Sequence, residues 1–186
     1  MGDNYEKIWQ LTTPYLKQGV MKDFVFHTQN VVKAMGMLLE GEGGDERILM
    51  PAAILHDVGF SKVDVMLQTT TMENKREGQR QHLIFCKDII QEILGKVGYN
   101  QKDIDRIIGI VEVHQFHKPE EKEKQMLIDA DNLSDVMPGA MQADAISYKN
   151  TPENVFEIRT KNTYYSKTAQ EIFKREMIER KKELNI

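Results

Sequence analysis

Four histidines, His27, His56, His82 and His114, recur about every 30 residues along this chain, and Asp57 follows one of them directly. Helical spacing sets His27 on a stripe with Val31, Ala34, Met35 and Leu38, and His56 on one with Ala52, Leu49 and Ile48. By the same count His82 shares a face with Cys86, Ile89, Ile90 and Ile93, and His114 with Ile107, Ile108, Ile110 and Val111. Asp131 lies one turn beyond Leu127 and Ile128. A single imidazole on an apolar stripe is usually a core residue satisfied by a backbone carbonyl. Five polar groups on five such stripes need one shared explanation, because unpaired buried imidazoles and carboxylates are costly. A shared metal ion removes that cost. Histidine with carboxylate suits Zn, Fe, Mn, Co or Ni, and a carboxylate can bridge two ions. Asp57, at the end of a helix beside His56, is the natural bridge.

Helices must position these groups, since sustained period-two alternation and Asn-Gly or Asp-Gly hairpin turns are missing from the sequence. The expected fold class is all-α. Helices are predicted over about 4–18, 22–40 and 45–56, with the GEGG run at 41–44 stopping the second and Asp45 capping the third. Residues 61–76 lack a clear period and are read as a short helix plus a loop beside the site. Further helices are expected over about 78–97, 101–115 and 121–137, then from Pro152, then over about 163–184.

At 186 residues the chain is read as one domain. A net charge of −4 argues against a general nucleic-acid surface, which needs a basic field. The one cysteine, Cys86, excludes an intramolecular disulfide and suits a reducing compartment. The start, MGDNYEKIWQ, carries acids where a signal peptide carries basic residues, and no apolar run approaches membrane-spanning length. The reading is cytoplasmic, with no membrane partner. Met35, Met37, Met50 and Met66 are read as gap-filling core, Cys86 as a buried apolar residue, and Trp9, Tyr164 and Tyr165 as packing of the terminal helices. His117, beside Lys118 and Pro119, is read as exposed.

The order His27, His56-Asp57, His82, His114, Asp131 resembles the HD superfamily of metal-dependent phosphohydrolases, named for its adjacent His-Asp pair. The resemblance is carried by AAILHDVGFSK at 52–62, HLIFCKDIIQEIL at 82–94, IDRIIGIVEVHQ at 104–115 and LIDADNLSDV at 127–136. It implies an HD helical bundle with a motif core over about 24–137 and C-terminal helices over about 140–184 packing on it. It implies that His27, His56, Asp57 and Asp131 hold a first ion, and that Asp57, His82 and His114 hold a second where there are two. Asp131 is preferred over Asp129 because the second acid of the family's Asp-Ala-Asp sequences is the usual ligand. Asp129 is then a supporting acid or a surface carboxylate. Two positions depart from the family pattern: Gln115 stands where many relatives have a second histidine, and Ser134 where an acid often follows.

A divalent ion in such a site lowers the pKa of a coordinated water from 15.7 to about 7, giving a hydroxide nucleophile for phosphorus. Asp57 would bridge the ions or orient the water. Lys62, five residues beyond Asp57, is the expected catalytic and phosphate-binding cation, with Arg76, Arg80 and Lys118 as further phosphate-binding candidates. Each of these is a surface charge unless the fold turns it inward. The implied cofactor is one or two divalent transition-metal ions, and the implied partner a small phosphorylated substrate of the nucleotide class. The alternative is a non-catalytic, metal-stabilised module that binds a nucleotide for regulation.

Overall fold

The computed structural model describes residues 3–69 and 72–186, and no strand occurs among them. The chain forms α1 (Asp3–Leu16), α2 (Phe24–Glu42) and α3 (Glu46–Leu55), then a 3-10 turn (Val58–Lys62) and α4 (Val65–Thr69). There follow α5 (Met72–Val97), α6 (Gln101–Val111), α7 (Lys122–Ser134), α8 (Ala140–Ser147), α9 (Pro152–Arg159) and α10 (Lys167–Leu184). The all-α expectation holds, because the apolar residues repeat at helical spacing and the ends carry the right chemistry.

Asp23 accepts a bond from Phe26 N–H to start α2, and Gly43, at φ 69°, supplies the left-handed residue that ends it. Asp45 accepts from Arg47 N–H to start α3, as read from the sequence. Asn100, Thr151 and Ser166 cap α6, α9 and α10 in the same way. Three boundaries differ from the sequence reading by four residues or more. Helix α5 begins at Met72 rather than 78, and α10 at Lys167 rather than 163, where Ser166 offers a better cap. Helix α6 stops at Val111 rather than 115, because His114 turns back to bond Val111 C=O through both its backbone N–H and its ring, and Phe116 adopts φ 62°.

The core is continuous. Helix α2 packs between α3 and α7, α6 lies against α3 and α5, and α5 runs along the 3-10 turn. Ile8, Val31, Met35, Leu49, Leu55, Ile90, Leu94, Ile107 and Leu127 are all fully buried there. Met35 and Met50 are buried, Met37 is half-buried, and Met66 corrects its reading as core: it is 61% exposed on the short α4. Five-residue α4 has too little surface to bury both its faces.

Gly59 sets how closely the 3-10 turn can approach α5. A Cβ there would lie 1.9 Å from the His82 carbonyl oxygen and 2.9 Å from the Cys86 nitrogen. Both are backbone atoms, so no rotamer change relieves the clash. Gly59→Ala is expected to cost about 3 kcal/mol or more and to lower the melting temperature by about 6–12 °C. Gly95→Ala, at an exposed position of the same helix with open space around it, should instead raise stability by about 0.5–1 kcal/mol. Thermal unfolding of the two variants checks both; equal melting temperatures would contradict the close-approach argument.

Candidate metal centre

Three helices and two junctions deliver the polar groups to a single point in this core. His27 comes from the first turn of α2 and Asp131 from α7, which packs on it. His56 closes α3, and Asp57 follows at φ −107°, ψ 5°, in the sparsely populated bridge region where chains change direction. His82 stands on α5 and His114 in the turn after α6. His56 and His82 are fully buried, and His27, Asp57 and His114 nearly so.

The hydrogen bonds fix which ring nitrogen faces inward. His56 Nδ1 lies 2.9 Å from Ala53 C=O, and His114 Nδ1 lies 2.7 Å from Val111 C=O, so each donates there and turns a bare Nε2 to the centre. Ser134 Oγ donates to Asp131 C=O at 2.7 Å and therefore accepts from His27 Nδ1 at 3.1 Å. That leaves His27 Nε2 pointing inward too. His82 is held by stacking on Phe60, with ring centroids 4.2 Å apart and planes 9° from parallel. Its Nε2 and that of His114 are buried without a hydrogen-bond partner.

These inward atoms divide between the two oxygens of Asp57. Oδ2 lies 3.3 Å from His27 Nε2 and 3.2 Å from His56 Nε2. Those two nitrogens are 3.2 Å apart, and Asp131 Oδ1 is 3.1 Å from His27 Nε2 and 3.8 Å from His56 Nε2. Oδ1 faces His82 Nε2 at 3.6 Å and His114 Nε2 at 3.9 Å. Ligands at about 2.1 Å from one ion stand about 3.0 Å apart in an octahedron and about 3.4 Å apart in a tetrahedron. The first set matches that spacing and the second is slightly wider. Both His27, His56, Asp57 and Asp57, His82, His114 could hold a metal ion.

Electron pairs that converge in a buried site require a positive charge among them. In the metal-free protein a proton serves: burial and the Lys22 charge oppose protonation of His27, but its hydrogen bonds with Asp131 and Asp57 outweigh them and push its pKa up to about 9. Burial also opposes ionisation of Asp57 and Asp131, yet His56 and His27 hold Asp57, and His27 holds Asp131, well below the usual carboxylate range. Burial pushes His82 down to about 3, and burial with the neighbouring His56 lowers His114, so both rings stay neutral. Neutral imidazole and ionised carboxylate are the forms that ligate.

A family model described as HD domain matches residues 24–136, well over half of the chain. The chain belongs to the HD domain family. HD domains bind divalent metals, and their superfamily is one of metal-dependent phosphohydrolases. No curated protein and no solved structure gives a significant match. The matched span of this HD domain contains all six of the groups above. Among the described residues no helix is long and apolar enough to cross a membrane.

The cations fall differently from the sequence reading. Lys62 is exposed on the 3-10 turn, where its charge acts on Glu92 of α5. Arg80 is exposed, 3.5 Å from Glu77 and over the Phe116 ring, and Lys118 is exposed as well. Arg76, also exposed, lines a cavity near the centre. The cation that reaches the cluster is Lys22, whose Nζ lies 3.9 Å from Asp57 Oδ2. Its place immediately before the Asp23 cap of the His27 helix was the available signal. Gln115 donates to Asp131 Oδ2 at 3.3 Å, and Ser134 orients His27, so both departures from the family pattern sit on ligand candidates. Asp129 is fully buried but faces away, accepting from Tyr165 and Ser166 N–H at 2.8 Å each, which corrects the surface-carboxylate reading. His117 is exposed, and Cys86 is a buried thiol 3.1 Å from His56 C=O whose pKa burial pushes up.

The raised His27 pKa stabilises the metal-free fold fully below its unfolded value near 6.5, and that contribution of about 3 kcal/mol is lost as pH rises through 9. Chelated protein should therefore melt at progressively lower temperature between about pH 6.5 and 9, and saturating divalent metal should flatten the decline. Calorimetry at pH 7 in buffers of different ionisation enthalpy should find about one proton released on loading the first ion. A release near zero would contradict the assigned His27 proton.

Proposed function

We propose that this HD domain hydrolyses a small phosphate ester or anhydride, with a nucleotide as the substrate class, using two divalent ions. The observation that carries the reading is Asp57: its two oxygens face two separate sets of imidazole Nε2 atoms, the arrangement of a carboxylate shared between two ions. His27, His56, Asp57 and Asp131 would hold the first ion, and Asp57, His82 and His114 the second. Bound divalent ions supply an acidified water and polarise the phosphoryl oxygens.

The chain's own groups do the rest. Beside His27 opens a crevice of about 20 Å³, room for one water, lined by Lys22, Ser134, Asp135 and Asp144. Burial pushes the Asp135 carboxyl up to about 6 against the Arg159 charge, so it can take up a proton from an attacking water near neutral pH. Lys22 keeps its charge despite burial because Asp57 faces it, and it can neutralise a phosphoryl oxygen. In this reading Lys22 takes the role that spacing alone gave to Lys62. The buried single thiol fits a cytoplasmic location.

Metal analysis of the purified protein should find two ions per chain. His82→Ala should leave one ion and reduce turnover by about two orders of magnitude or more, whereas His27→Ala should empty the first position. One ion in the unaltered protein, unchanged by His82→Ala, would remove the two-ion version. Separately, Lys22→Gln should lower kcat/KM by about 10–100-fold with metal content kept, while Lys62→Gln should leave it within about twofold. Metal-replete protein that binds nucleotides yet turns over neither monophosphates, dinucleoside polyphosphates, cyclic dinucleotides nor a chromogenic phosphate ester would be a regulatory module instead.

A further inference from the structure

A second cavity, of about 360 Å³, lies beyond the crevice and shares Asp144 with it. Its walls come from Met21, next to Lys22 in the chain, from Lys75 and Arg76 of α5, and from the α8–α9 segment with Tyr148 and Arg159. The charges lining it are unequal. Arg159 is committed to two carboxylates, Asp135 at 2.8 Å and Asp144 at 2.5 Å, which more than offset its charge. Lys75 sits 4.7 Å over the Tyr148 ring, and neither it nor Arg76 has an acidic partner among the described residues. Asp144, the carboxylate that also lines this space, is taken up by Arg159, so Lys75 and Arg76 are left as cations without an ion-pair partner among the described residues.

We propose that this cavity receives a second phosphate group of the substrate, remote from the scissile one, held by Lys75 and Arg76. The inference rests on the phosphohydrolase reading above and narrows its substrate class to molecules phosphorylated at two separated points. Tyr148 and the apolar Met21, Val155 and Ile158 line the same space and accept the uncharged body between the two ends. Arg159 joins the two cavities: through Asp144 and Asp135 it sets the charge in the crevice beside His27, and it also lines the outer space.

Equilibrium binding to the metal-replete protein tests this without turnover, using adenosine 5′-monophosphate, adenosine 3′,5′-bisphosphate, adenosine 5′-triphosphate and diadenosine tetraphosphate as probes. Adenosine 3′,5′-bisphosphate, the probe phosphorylated at two separated points, should bind about tenfold or more tightly than the monophosphate, as expected for charge-assisted bonds to two cations, and more tightly than the two probes whose phosphates form one continuous chain. In a Lys75→Gln, Arg76→Gln double variant that ratio should fall to within about twofold of unity. Arg76 is exposed and Lys75 half-buried, so the variant should fold, and an unchanged melting temperature checks this. No preference in the unaltered protein, or a preference that survives the double substitution, overturns the cavity assignment. A preference that is present and lost on substitution, with no hydrolysis of any probe, would uphold the cavity and sink the hydrolase reading alone.

Discussion

Four buried imidazoles point bare nitrogens at the two oxygens of one carboxylate, and the fold has to supply positive charge where those electron pairs meet. Everything around Asp57 follows from that requirement. Ala53 and Val111 carbonyls hold two of the rings by their outer nitrogens, Ser134 holds a third, and Phe60 holds the fourth by stacking. The inner nitrogens of His82 and His114 are left without a hydrogen-bond partner, and those of His27 and His56 converge on carboxylate oxygens. A neutral apolar core would be more stable at such a place than a half-satisfied polar one. The arrangement makes sense only with a cation inside it, whether the His27 proton or a divalent ion.

The ligand candidates were legible because their signal is local and periodic. His27, His56, His82 and His114 sit on helical stripes whose inward direction can be counted from the apolar neighbours. Asp57 was legible through its neighbour, and the chain there changes direction as a helix end must. Lys22 was not legible by the same means, since it lies in the connection before α2, where no period says which way a side chain points. Lys62 shows the converse. It follows the His-Asp pair closely, but the 3-10 turn rotates successive residues by a different angle from an α-helix and leaves it at the surface.

The early end of α6 has a related cause. Apolar spacing continues past Val111 in the sequence, yet the chain tightens there because His114 must reach inward while its ring bonds back to Val111. Local propensity gave way to the site, which is where such conflicts are expected. Asp129 and Asp131 make the same point in reverse. They look equivalent in sequence, but two positions along a helix point about 200° apart, so one faces the cluster and the other faces α10.

That last pair also joins two distant parts of the molecule. The carboxylate of Asp129 grips the backbone at Tyr165 and Ser166, where the final helix begins, and Asp131 on the same rigid helical turn faces His27. The start of the last helix and the acid that faces His27 therefore hang from one helical turn of α7, so the C-terminal helix is tied to the histidine cluster although none of its own residues enters it.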